Sequence, residues 1–90
     1  MAASDTKRTI LSVVVRDRTG ILFEGSATAV SSYNENGLFD VLPLHSNFIC
    51  IIRQMVIVRK TKKGAPVEIP LQQSGVLKVR ENAVEVYAGV

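Results

Sequence analysis

Val67-Glu68-Ile69-Pro70-Leu71-Gln72, then Ser74-Gly75, then Val76-Leu77-Lys78-Val79-Arg80-Glu81-Asn82-Ala83-Val84-Glu85-Val86-Tyr87-Ala88 is the stretch that decides the fold class. In its first part Val67, Ile69 and Leu71 alternate with Glu68, Pro70 and Gln72, the period of two that sends apolar side chains to one face of a pleated strand. Pro70 cannot donate to a ladder and therefore predicts an edge strand or a bulge. Ser74-Gly75 breaks the run, and residues 76–80 and 83–88 read as a hairpin closed across Glu81-Asn82.

Working outward, the same period recurs upstream, and the three-four spacing of an amphipathic helix is absent almost everywhere. Thr9, Leu11, Val13 and Val15 make one face of a first strand and Ile10, Ser12, Val14 and Arg16 the other, before a turn at Asp17-Arg18-Thr19-Gly20. Ile21-Leu22-Phe23 is a short second segment closed by Glu24-Gly25, and residues 26–33 form a strand of small residues. Asn34-Glu35-Asn36-Gly37 supplies side chains that tolerate positive φ, and residues 38–42 extend again until Pro43. Phe48-Ile49-Cys50-Ile51-Ile52 predicts a strand buried on both faces, followed by a separate strand over residues 54–59. Lys60-Thr61-Lys62-Lys63-Gly64-Ala65-Pro66 is a solvated hairpin tip. The expected architecture is all-β, a small β-sandwich or flattened barrel of about nine to ten short strands with no significant helix. Residues 1–8 are expected to form a flexible N-terminal segment and residues 9–90 a single domain.

Ninety residues, 47% hydrophobic and 21% charged, leave no room for a second domain. The longest apolar run, Phe48 to Ile52, is far short of the ~20 residues that span a bilayer. A polar start followed by Arg16 and Arg18 where small residues would be needed argues against an export signal. Cys50 has no second cysteine to pair with, and one cysteine with one histidine cannot supply a four-ligand zinc site. His45 has no neighbouring acid to orient it, which predicts a packed or capping loop histidine. Glycines 20, 25, 37, 64, 75 and 89 are scattered singly at turns, so there is no phosphate-cradling loop, and Glu81 and Glu85 merely bracket a turn. No catalytic, cofactor or metal site is predicted.

The net charge of +3 is uneven. Between Val41 and Val67 stand Arg53, Arg59, Lys60, Lys62 and Lys63 with no acid, leaving the remainder slightly acidic. Such a segment can bind nucleic acid or acidic headgroups, or simply guard a hairpin end against edge pairing. The lack of neighbouring aromatics that could stack on bases disfavours nucleic acid, which stands as the alternative function through residues 53–63.

Three segments in order carry a family resemblance: Leu22-Phe23-Glu24-Gly25; Gly37-Leu38-Phe39-Asp40-Val41-Leu42-Pro43-Leu44-His45; and Gly75-Val76-Leu77-Lys78-Val79 with Val84-Glu85-Val86. Together, over about residues 9–88, they resemble the N-terminal β-sandwich domain of the epsilon subunit of F-type ATP synthases. Asp40 and Leu44 stand where that family usually has glycine, Asn47 and Ser74 replace a proline and a glycine, and Leu38 stands at a position acidic in many members. The resemblance implies a non-catalytic rotor subunit without cofactor that links the gamma subunit to the polar loops of the membrane c-ring. It further implies a peripheral complex on the cytoplasmic face of the membrane (matrix or stroma side if organellar), with no direct insertion into it. By carry-over, Asn36, Gly37 and Leu38 together with Pro43, Leu44 and His45 form the ring-facing loops at one end of the sandwich. The family's two-helix C-terminal region lies outside this sequence. The chain is therefore expected not to bind ATP, which an equilibrium titration of the purified chain with ATP checks directly.

Overall fold

A computed structural model describes residues 10–89. The expected flexible segment at residues 1–8 lies outside the described residues. Eight strands follow in order: β1 (Leu11–Asp17), β2 (Gly20–Ala27), β3 (Ala29–Asn34), β4 (Gly37–Val41), β5 (Phe48–Arg59), β6 (Val67–Pro70), β7 (Gly75–Arg80) and β8 (Ala83–Ala88). No helix occurs among the described residues. The strands form two sheets that share β5: one in the order β2-β1-β8-β7-β5, the other β4-β3-β5-β6. Every pairing is antiparallel except β1 with β8, which run parallel with Val13 beside Val84 and Val15 beside Val86. The path ends in unclosed edges, so the architecture is a sandwich rather than a closed barrel.

The strand number falls below the expected nine to ten because the chain changes sheets at two corners. The predicted strand over residues 26–33 is divided at Thr28, whose amide and hydroxyl both donate to the Arg59 carbonyl, at 2.7 and 3.1 Å. Its first residues join Ile21-Leu22-Phe23 as β2. Conversely, residues 48–52 and 54–59 are one strand, pairing with β7 up to Ile52 and with β3 from Arg53 onward. Gln54 makes the transition in left-handed backbone, φ 75°, while its carbonyl accepts the Leu71 amide at 2.8 Å. A side-chain-bearing residue in that region costs roughly 1–2 kcal/mol, so Gln54→Gly is expected to stabilise the fold by about 0.5–1 kcal/mol in urea unfolding.

The core lies between the sheets. Leu11, Val13, Val15, Leu77, Val79, Val84 and Val86 face inward from one, and Val30, Val41, Val56 and Val58 from the other. Phe39 on β4 meets Phe48 on β5 edge-to-face, centroids 6.1 Å apart, closing one flank between the two sheets. Two buried serines need partners and have them: the Ser31 hydroxyl donates to Asp40 and the Ser32 hydroxyl to the Met55 carbonyl at 2.7 Å. β6 is an edge strand with Pro70 at its end, as its sequence requires.

At the β1–β2 turn, Asp17 Oδ1 accepts from the Thr19 hydroxyl at 2.7 Å and from the amides of Thr19 and Gly20 at 2.8 and 3.2 Å. These bonds, the Thr19 hydroxyl foremost, hold the carboxyl below the ordinary aspartate value of 3.8. A carboxylate depressed in the folded state contributes stability above its unfolded pKa, and that contribution disappears as pH falls through the lower folded value. The urea midpoint of the native chain is expected to drop more between about pH 5 and about pH 3 than that of Asp17→Asn, which keeps an acceptor but does not titrate there.

Candidate docking surfaces

The run Phe48-Ile49-Cys50-Ile51-Ile52 corrects one expectation, burial on both faces. Phe48, Cys50 and Ile52 turn to the core, whereas Ile49 and Ile51 are 67% and 70% exposed on the outer face of the five-stranded sheet. The registers carry this apolar surface across the whole sheet. Ile51 lies beside Val76, Val76 beside Tyr87, Tyr87 beside Arg16, and Arg16 beside Ile21. Five strands at about 4.8 Å spacing make this row about 19 Å long. Its one charged member is partly masked, since the Arg16 guanidinium sits 5.9 Å from the Tyr87 ring centroid. In the next row Ile49 and Val14 flank Lys78 and Glu85, so the apolar band fades toward the β7–β8 turn. A sandwich needs only its inner faces apolar, and a continuous exposed row of this length is the signature of a surface meant to be covered.

The second surface follows the edge strand β4, which pairs with β3 alone. At its start, Asn34 Oδ1 accepts the Asn36 amide at 2.8 Å and Gly37 takes φ 111°, so the turn rests on side chains suited to it. At its other end the chain runs through Leu42, Pro43, Leu44 and His45. The carried-over residues therefore do not converge on one end: Asn36, Gly37 and Leu38 stand about 13 Å along β4 from Pro43, Leu44 and His45. The two groups flank opposite ends of β4, and what they share is a sheet edge lined by exposed Leu38, Leu42 and Leu44.

The loop after Pro43 is anchored by residues that sequence reasoning missed. Asn82 Oδ1 accepts the Leu44 amide at 2.7 Å, the Asn82 carbonyl accepts the Ser12 amide at 2.8 Å, and Asn47 Oδ1 accepts the Glu81 amide at 3.0 Å. Asn47, where the resembled family has proline, thus gains a partner on the β7–β8 turn. Glu81 and Asn82 both adopt positive φ, 50° and 66°, a type I′ hairpin turn in which asparagine is favoured. The only sequence signal was that turn preference, because the long-range bond to Leu44 leaves no local pattern. His45 is exposed on this loop, its ring centroid 5.0 Å from that of Phe48 and its Nδ1 2.9 Å from the Ser46 carbonyl. Asn82→Ala loses both the favourable left-handed residue and the bond to Leu44. The expected cost is about 2 kcal/mol, with faster hydrogen exchange at the Leu44 amide.

The third surface is the β5–β6 loop. Arg59, Lys60, Lys62 and Lys63 are exposed around its tip, braced by the Gly64 amide donating to Thr61 Oγ1 at 2.9 Å. Arg53 does not belong to it. That residue pairs with Tyr33 on the far side of Gln54, about 20 Å along the strand from Arg59.

Among the described residues, one open cleft lies between the β1–β2 turn and Ile69–Gln73 and another beside Asn34–Asn36 and Ile51–Arg53. Among the described residues no group of three histidine, cysteine or acidic side chains could hold a metal ion. Cys50 is half-buried against the core, and burial pushes its thiol up, away from the reactive thiolate.

The two-sheet sandwich thus presents one exposed, mainly apolar row, an ordered edge and a cationic loop. Residues 10–90 match the family described as ATP synthase, Delta/Epsilon chain, beta-sandwich domain, and the chain belongs to that family. Among solved structures, the chain is similar to one in the central stalk and c-ring of the mitochondrial ATP synthase from Tetrahymena thermophila. The TM-score is 0.70 at 9% identity, over 89% of this chain and 63% of that one. At that identity the likeness is one of fold, and this chain spans 63% of the length of its counterpart. No curated protein matches the sequence.

Proposed function

We propose that the chain is a non-catalytic central-stalk subunit of the rotor of an F-type ATP synthase. It links the gamma subunit to the membrane c-ring and helps couple ion translocation to ATP synthesis. The observation that carries this reading, within the shown family, is the exposed apolar row from Ile21 through Tyr87 and Val76 to Ile51. We assign that face to gamma, because a long stalk subunit offers the area needed to cover five strands. The β4 edge, with Asn36, Gly37 and Leu38 at one end and Pro43, Leu44 and His45 at the other, then turns to the polar loops of the ring. The complex sits peripherally on the cytoplasmic side of the membrane, or the matrix or stroma side in an organelle.

The non-catalytic reading is supported by the surroundings of the chain's one histidine and one cysteine. The His45 ring lies beside Phe48 with Nδ1 at the Ser46 carbonyl, and the Cys50 thiol is disfavoured as a thiolate. The alternative, nucleic-acid binding through residues 53–63, is weakened because Arg53 stands apart from the other four cations.

The test is co-migration with a cognate gamma subunit on a sizing column at low and high salt. A complex stable at both is expected, since apolar docking resists ionic strength whereas phosphate contacts do not. No complex with gamma, together with salt-sensitive binding to an oligonucleotide, would overturn the stalk reading in favour of the cationic loop.

A further inference from the structure

We propose that the β5–β6 loop, through Arg59, Lys60, Lys62 and Lys63, binds anionic phospholipid headgroups at the membrane surface. The inference rests on the stalk reading above, which brings the β4 edge to a ring seated in a bilayer. Its own warrant is the sheet register. Val41, Val30, Val58 and Val67 form one row across the four-stranded sheet. From that row the chain leaves in the same direction twice, into Leu42-Pro43-Leu44-His45 from β4 and into Arg59-Lys60 from β5. The two strands have only β3 between them, so the ring-facing segment and the cationic loop emerge about 10 Å apart at the same end of the sheet. A ring in a bilayer is bordered by headgroups. A loop beside the ring contact therefore meets lipid phosphate, and its charge is complementary to it.

The nearby acids do not cancel this charge. Asp40 is bonded to Ser31, Glu68 lies one position into β6 opposite Ile57, and Glu81 stands on the β7–β8 turn across the other sheet. Three features favour lipid over nucleic acid. The cations fall within the five consecutive positions 59–63, no aromatic side chain lies in the loop, and the neighbouring exposed side chains are Leu42 and Leu44. Stacking on bases needs the opposite arrangement.

The experiment is sedimentation of the full chain with vesicles of phosphatidylglycerol and phosphatidylcholine, or of phosphatidylcholine alone. It is repeated with the K60Q/K62Q/K63Q variant, whose changes all lie on exposed loop positions. Binding to the anionic vesicles only, its loss at about 0.5 M salt, and a weakening of about a hundredfold in the variant are expected. Equal binding to both vesicle types, no binding to either, or an unaffected variant would overturn the proposal. So would a single-stranded oligonucleotide that displaces the chain from the vesicles at a lower phosphate concentration than the lipid itself supplies. The same variant should still co-migrate with gamma. A gamma complex without vesicle binding defeats this inference alone, and vesicle binding without a gamma complex defeats the stalk reading alone.

Discussion

Ile51→Asp is expected to weaken association with the gamma subunit by about a hundredfold or more while leaving the thermal midpoint of the free chain almost unchanged. Ile51 is 70% exposed on the outer face of the sheet, so the free fold loses little when it becomes polar. In a complex that covers the row, the same carboxylate must shed its water without a cation opposite it. The cation in its own row, Arg16, lies three strands away over Tyr87. An unpaired charge buried in an interface costs about 3–5 kcal/mol, which is the factor quoted and more. Calorimetric titration of gamma into wild type and variant measures it. A matched change at Leu38, on the β4 edge, should leave the gamma affinity intact. An unchanged affinity for Ile51→Asp would place gamma on another face.

Leu77→Ala is expected to destabilise the domain by about 3 kcal/mol and to lower its thermal midpoint by roughly 12–24 °C. Leu77 is fully buried on β7, an interior strand of the larger sheet, between Cys50 of β5 and Val86 of β8. Truncation removes three carbons and leaves a cavity that two flanking ladders cannot collapse to fill. A domain of this size holds only about 5–10 kcal/mol in all, so a third or more of its stability resides in one side chain. Thermal denaturation followed by circular dichroism reads the shift. Because gamma binds only the folded state, adding it in excess should restore part of the midpoint. A shift of less than about 5 °C would mean that the sheet relaxes around the gap, contrary to the close packing described.

Much of this was readable from local pattern. The alternation at Val67, Ile69 and Leu71 located an edge strand because Pro70 has no amide to donate, and β6 indeed pairs only with β5. The hairpin across Glu81-Asn82 was legible for the same kind of reason, since both residues sit in the turn and 76–80 pairs with 83–88. The candidate residues were legible as segments but not as a surface. Pro43, Leu44 and His45 were flagged without Asn82 and Asn47, the side chains that hold them, because those partners are 38 and 34 residues distant from the amides they bind. Arg53 was grouped with the lysines by sequence proximity, and a bend in the backbone removed it.

What the sequence by itself determined is therefore the class: a period of two throughout, turn residues at regular intervals, and one cationic loop free of acids. These follow from forces acting over a few residues, where steric preference and side-chain chemistry leave little choice. Only the tertiary structure decided which apolar face of Phe48–Ile52 is hidden. Both faces have equal claim by composition. The choice falls when β5 is shared between two sheets, with Ile52 paired to Gly75 and Arg53 to Tyr33, and Gln54 pays the left-handed backbone that the change of partner demands. With Ile52 drawn inward, the pleat must send Ile51 and Ile49 outward, and the docking face is the consequence.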